Sequence, residues 1–338
     1  MAVKRKNMLW LQSGGCGGCT LSLIGAEGPD FSSSLESSGI DILLHPTLSE
    51  ESGSEVIAKL KALMDGEFAL DILCLEGAVM AGPNGTGRFH MMTGFDDAPM
   101  MQIIAELATL SDYVVAVGSC AAYGGVTAGG LNVTEAQGLA FDADMPGGLL
   151  GADFTSKNGL PVINISGCPI HPDWVLETLY QIAADEMTTD DLDQFNRPKA
   201  LSNKLVHHGC SRNEFYEYKA SGEQLGHLGC MMEHLGCKGT QASGDCNTRP
   251  WNGAGSCISG GYPCIACTEP GFEEPGHTFV ETPKIAGIPT GIPTDMPKAW
   301  FVALASLSKA ATPDRLRRNA VADHISVSPK SKSKGGRS

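Results

Sequence analysis

The chain has 338 residues, 42% of them apolar and 18% charged, which is enough to bury a full core and predicts two domains. A formal net charge of −14 argues against nucleic acid as a partner, and no run of 18 or more apolar residues is present to cross a bilayer. Twelve cysteines are too sparse for a small disulfide scaffold and more than packing needs, so in a reducing compartment their expected use is metal binding.

The N-terminal Met-Ala-Val-Lys-Arg-Lys leads straight into an apolar stretch, with no signal-peptide core, cleavage site or twin arginine ahead of the first motif. A cytoplasmic location is expected. Apolar, β-rich runs follow at Met8 to Gln12, Ile40 to Leu44, Asp71 to Leu75, Tyr113 to Val117 and Pro161 to Ile165. Helix-like stretches such as Ser54 to Met64 and Met100 to Leu110 separate them. This rhythm predicts an α/β fold, a flavodoxin-like doubly wound parallel sheet, over residues 1–195.

Four cysteines fall just past strand ends. Cys16 and Cys19 sit in the loop "LQSGGCGGCT" after the first strand, Cys120 follows the run ending at Val117, and Cys168 follows the run ending at Ile165. The Lys-Ser/Thr of a phosphate-binding loop and the GxGxxG spacing are both absent from the first of these loops. In open α/β sheets the ligand site lies outside the C-terminal strand ends, so the four thiols are predicted to converge on a [4Fe-4S] cluster or a zinc ion.

After residue 195 the rhythm stops, and Gly, Cys and His dominate to about residue 280. Cys210, Cys230, Cys237, Cys246, Cys257, Cys264 and Cys267 crowd into 58 positions, with His207 and His208 beside them. The segment has too few apolar runs for a large core of its own, so bound metal is expected to supply much of its folding free energy. Spacing predicts two sites: His207, Cys210, Cys230 and Cys237, then Cys246, Cys257 and the Cys264-Ile-Ala-Cys267 pair. Residues 281–338 read as a C-terminal extension, basic and predicted to be disordered from "SPKSKSKGGRS" at 328.

Six pieces in order make a resemblance: "GCGGC" at 15–19, "EGA" at 76–78, "GSCAAYGG" at 118–125, "GCPIHPDW" at 167–174, "GCKG" at 236–239 and "PCIACTEPGF" at 263–272. The chain resembles the small subunit of [NiFe] hydrogenases over about residues 8–275. The resemblance implies three iron-sulfur clusters of [4Fe-4S] or [3Fe-4S] type. Cys16, Cys19, Cys120 and Cys168 would hold the proximal one, Cys246, Cys264 and Cys267 the medial one, and His207, Cys210, Cys230 and Cys237 the distal one. The nickel-iron centre would belong to a separate large subunit, an obligate partner.

Three departures qualify what the resemblance implies. Cys257 stands where many relatives have proline, so a fourth iron at the medial site is expected as readily as three. The Cys230 to Cys237 interval is one residue longer than usual. Gly18 and Gly125 occupy the positions where oxygen-tolerant membrane-bound relatives carry two extra cysteines, so that device is missing.

Other residues divide between functional and ordinary readings. Cys74, inside an apolar strand, is expected to be a buried small hydrophobe rather than a ligand. His208, His227 and His234 are expected on the surface or in support of the ligands. Glu76 either relays protons or caps a helix. The glycine-rich "GPNGTGR" at 82–88 is expected to face the large subunit rather than a phosphate.

The function implied is that of an electron wire. Electrons from hydrogen oxidation at the partner's nickel-iron centre would leave through three clusters to an external acceptor such as a quinone or a soluble carrier. The cytoplasmic uptake group, cyanobacterial-type enzymes included, is the nearest match, with a peripheral place at the membrane and a higher oligomer both open. The alternative is a regulatory hydrogen sensor signalling to a histidine kinase. A zinc-stapled structural protein is disfavoured by the His-Cys spacing.

Overall fold

The computed structural model describes residues 5–323 apart from positions 93, 96, 275 and 286, so the basic stretch from residue 328 lies outside the described residues. Five parallel strands form the central sheet: β1 (Lys6–Gln12), β2 (Ile40–Leu44), β3 (Ile72–Glu76), β4 (Tyr113–Val117) and β5 (Ile163–Ile165). Their spatial order is β2-β1-β3-β4-β5, the doubly wound order in which the chain reverses direction between β1 and β3. Registers run Met8 beside Ile72, Gln12 beside Glu76, Ile72 beside Tyr113 and Val115 beside Ile163.

The period-two pattern of each strand feeds two cores. Met8 and Trp10 of β1, Ile72 and Cys74 of β3, and Tyr113, Val115 and Val117 of β4 point to one face. There they pack with Leu23 of α1 (Gly18–Ile24), Phe31 and Leu35 of α2 (Phe31–Ser38), and Trp174, Val175 and Leu179 of α6 (Pro172–Ala183). Leu9, Leu11, Leu73, Leu75, Val114 and Ala116 point to the other face. Their partners are Leu60 and Leu63 of α3 (Ser54–Met64), Ile103, Ile104 and Leu107 of α4 (Met100–Leu110), and Ala121 to Tyr123 of α5 (Ser119–Tyr123). Burial on both faces explains why these strands read as unbroken apolar runs.

Three strands differ in their bounds from the sequence expectation, β1 by starting at Lys6 rather than Met8, where Lys6 and Asn7 pair with Ile40 and Asp41 of β2. β3 starts at Ile72 and runs on to Glu76, because Gln12 of β1 continues the ladder one pair further. β5 begins at Ile163 rather than Pro161, whose missing N–H cannot join a ladder.

Beyond residue 200 regular structure is sparse: a 3-10 turn at Val206–Gly209, a helical turn at Asn213–Glu217 and α7 (Met232–Leu235). Its core is small, built on Val206, Met231, Leu235, Ala242, Ile258, Cys264 and Ala266. Ahead of the tail expected to be disordered, the extension forms a short hairpin, Lys284–Ile285 with Ile288–Pro289, followed by α8 (Lys298–Ala310) and α9 (Asp314–Ala320). The carbonyls of Ala320 and Ala322 accept the N–H groups of Gly229 (2.8 Å) and Leu228 (2.9 Å), which fastens the extension to the loop leading into Cys230. The apolar side chains of α8 are not confined to the packed side, with Phe301 buried while Trp300, Leu304 and Leu307 are exposed, so no inward stripe signalled the element.

Candidate metal centres

All five strands are parallel, so the loops leaving β1, β3, β4 and β5 emerge along one edge of the sheet. Cys16 lies in the loop after β1, Cys19 opens α1, Cys120 opens α5 after β4, and Cys168 follows β5. Burial pushes the Cys168 thiol up to about 12, and the nearby Cys120, Cys267 and Cys16 push it further in the same direction. Burial likewise raises Cys19, with Cys120 and Cys168 adding to the effect, and raises Cys120, on which Cys16 also acts. Cys120 and Cys168 thus neighbour each other and both Cys16 and Cys19.

Space at this set is tailored to sulfur. A Cβ on Gly118 would lie 2.5 Å from Cys19 Sγ, one on Gly125 3.0 Å from Cys120 Sγ, and one on Gly18 3.1 Å from Cys16 Sγ. Gly118 and Gly125 also hold φ of +89° and +52°. Gly18 and Gly125, the positions without the extra cysteines of oxygen-tolerant relatives, thus border the sulfurs of the set.

Glu76, at the end of β3, is buried and accepts from five donors. The peptide N–H groups of Cys19 (3.0 Å) and Thr20 (3.1 Å) meet Oε1, while Trp10 Nε1 (3.3 Å), Gln12 Nε2 (3.0 Å) and the Thr20 hydroxyl meet Oε2. Its carboxylate satisfies amides at the start of α1 and so fixes the orientation of Cys19. Cys74 is fully buried among apolar side chains, and burial raises its thiol far above the ordinary range.

In the second set His207, Cys210, Cys230 and Cys237 line one pocket with Arg212 and Tyr216. Burial holds His207 below the usual imidazole range, which favours the neutral ring a metal needs, and its buried Nδ1 has no hydrogen-bond partner. Burial also pushes Cys230 up to about 12, with Cys237 and Cys210 adding to it. Arg212 is buried, and its guanidinium Nη1 holds the carbonyls of His227 (2.6 Å) and Gly229 (2.8 Å). Sequence reasoning passed over Arg212, a lone basic residue in a cysteine loop with no spacing signal. His208 is exposed and bonds Asp295 at 2.7 Å, and its ring stands 5.0 Å from that of His207, so both lie beside the set rather than apart from it.

The third set brings Cys246, Cys257, Cys264 and Cys267 together. Burial raises Cys246 to about 12, with Cys267 and then Cys257 as the next contributors, and raises Cys267 to about 11, where Cys257 also acts. Burial raises Cys264 as well, and both Cys237 and Cys267 act on it. Cys257 is thus a neighbour of two ligand candidates. Peptide N–H groups donate to sulfurs throughout: Gly18 to Cys16 (3.3 Å), Arg212 to Cys210 (3.3 Å), Cys264 to Cys237 (3.3 Å) and Ala266 to Cys264 (3.4 Å).

Thiols gathered in three sets, an unpartnered imidazole nitrogen in one of them and peptide donors aimed at sulfur fit groups that demand thiolates. Binding would displace the thiol protons that burial otherwise retains.

Two family models match the chain. One, described as "NADH ubiquinone oxidoreductase, 20 Kd subunit", covers residues 16–182. The other describes the C-terminal part of the NiFe/NiFeSe hydrogenase small subunit and covers residues 203–280. The "F420 non-reducing hydrogenase II small subunit" of Methanosarcina mazei is 31% identical over 333 residues, spanning 92% of this chain and 84% of its own length. The "Periplasmic [NiFeSe] hydrogenase small subunit" of Desulfomicrobium baculatum is 31% identical, with 82% and 87% covered. Among solved structures, the actinobacterial-type NiFe-hydrogenase from Ralstonia eutropha H16 superposes with a TM-score of 0.74 at 30% identity, over 92% of this chain and 90% of that one.

Proposed function

This chain belongs to the small-subunit family of [NiFe] hydrogenases, and we propose that it serves there as the electron wire of a hydrogen-uptake enzyme. Small subunits of this family carry iron-sulfur clusters and pair with a large subunit that holds the nickel-iron centre. When bound, such clusters supply one-electron redox chemistry.

The observation that carries the proposal is the sorting of eleven cysteines and His207 into three sets in series. Cys168 of the proximal set neighbours Cys267 of the medial set, and Cys264 of the medial set neighbours Cys237 of the distal set. The chain's own residues hold the sulfurs and turn peptide N–H groups toward them, which favours the reduced, more negative state.

The proximal end is the face for the large subunit. Cys16 is exposed there, and Leu21 of α1 and Val126 just after α5 expose apolar side chains at 69% and 61%. Cytoplasmic location and a quinone or soluble carrier as acceptor belong to the same proposal.

The test is the complex purified with its large subunit, analysed for iron and acid-labile sulfide and assayed for hydrogen oxidation with an artificial acceptor. Iron and sulfide for three clusters and rapid acceptor reduction are expected. Zinc without sulfide would overturn the wire, and hydrogen binding with negligible turnover would point to a sensor. Cell fractionation checks the location.

A further inference from the structure

Three loops meet at Ser119. The residue is 1% exposed and immediately precedes Cys120 of the proximal set. Its peptide N–H donates to the carbonyl of Gly167 (3.0 Å), and its Oγ accepts the N–H of Gly167 in return (2.9 Å). Gly167 immediately precedes Cys168, so this reciprocal pair locks the Cys120 loop to the Cys168 loop. The hydroxyl proton goes elsewhere, to the carbonyl of Cys267 at 2.5 Å. One buried hydroxyl therefore joins two proximal loops to a medial one.

The ordinary role of a serine at a helix start is to cap it, and Ser119 does not do so. The N-cap of α5 is Gly118, and no side chain caps that helix. Both hydrogen-bonding capacities of the hydroxyl are spent between loops, on groups that would otherwise be buried without partners. Between the medial and distal sets the join is made by peptide groups: the Cys264 N–H donates to Cys237 Sγ (3.3 Å) and the Lys238 N–H to the Cys264 carbonyl (2.8 Å).

We propose that Ser119 is a positioning residue that fixes the proximal and medial centres against each other, an inference that rests on the electron-wire reading. Without the hydroxyl the Cys267 carbonyl loses its donor, and the medial loop is released from the two proximal ones. The surroundings and distance of the medial centre then change, and its potential moves with them.

The experiment compares Ser119→Ala and Ser119→Thr in the complex with its large subunit, by iron count, potentiometric titration followed by EPR, and the rate of electron delivery to an acceptor. In Ser119→Ala with full iron, the medial midpoint potential is expected to shift, the magnetic interaction between the proximal and medial centres to weaken, and delivery to slow several-fold. Hydrogen isotope exchange at the partner's centre is expected to hold. Ser119→Thr, which keeps the hydroxyl, is expected to restore potential and spectrum. Full iron with unmoved potential and spectrum in Ser119→Ala overturns the role, as does a Thr variant that behaves like Ala. If Ser119→Ala fails to retain iron, recovery of iron and spectrum in Ser119→Thr supports it, and loss in both overturns it. A wild-type complex without iron and sulfide would instead overturn the electron-wire reading.

Discussion

At the scale of single residues, the proposed medial site is best tested at Cys257. It neighbours both Cys246 and Cys267, where three-cysteine relatives would have a proline. Replacing Cys257 with proline is expected to convert a four-iron centre into a three-iron one, with a higher potential and a new EPR signal in the oxidised state. Unchanged iron content and EPR would show that the medial site stops at three thiols. Gly118 is the second such residue. Its φ of +89° with ψ of 157° is a backbone conformation essentially confined to glycine and costs an alanine about 1 to 3 kcal/mol. The added Cβ would also stand 2.5 Å from Cys19 Sγ. Gly118→Ala is therefore expected to strip the proximal EPR signal while the medial and distal signals persist. What spacing made legible were the thiols, because metal ligation demands them in sets. Glu76 offered two roles in sequence, and only the fold shows its five donors. Ser119 and Arg212 act through loops brought together from distant parts of the chain, and nothing local in the sequence marks them.

At the scale of elements, the strands and the longer helices were legible because each has one environment along its length. β2, β4, α3 and α4 coincide with their expected bounds, whereas the helices of the extension went unseen for want of an apolar stripe on the packed side. The start of α6 shows how elements are joined across the two halves. His171 is its N-cap, its Nδ1 accepting the N–H of Asp173 (3.2 Å), while Nε2 bonds the carbonyl of Arg249 beyond Cys246 (2.9 Å). Burial lowers the pKa of His171 below 6.5, against the opposing pull of Asp173, the Arg249 carbonyl and Asp245, with only a small further push from the Arg249 guanidinium. A group depressed in the folded state contributes stability that is fully present above its unfolded value of 6.5. That contribution is lost progressively as pH falls from there toward the lowered folded value. Denaturant midpoints measured between about pH 7.5 and about pH 5 should therefore fall, and His171→Gln should flatten the slope. An unaltered slope in the variant would assign the acid sensitivity to other groups, such as the buried His45.

At the scale of the whole molecule, the polarity of the wire makes activities separable. The distal set lies at the opposite end of the series from the face offered to the large subunit, so Cys210→Ala is expected to slow delivery to an external acceptor more than hydrogen isotope exchange. Equal loss of both in an assembled complex would place Cys210 elsewhere. The isolated chain, with Cys16, Leu21 and Val126 uncovered, is expected to aggregate or lose its metal when expressed without its partner. A monodisperse, metal-loaded monomer in size-exclusion chromatography would count against an obligate pairing.

The bonds at Ser119 and His171 also bear on how such proteins can be recombined. The two matched family segments end at 182 and begin at 203, and a splice between them would look clean in sequence. Yet Ser119 to Cys267, His171 to Arg249, and Arg197 to Glu269 (3.0 Å) and to the Thr268 carbonyl (3.1 Å) all cross that seam or lie within it. A chimera taking its first half from one relative and its second from another would inherit each half's ligands intact but not the bonds that set the distance between them. Recombination would have to carry the partners of the seam along with the halves.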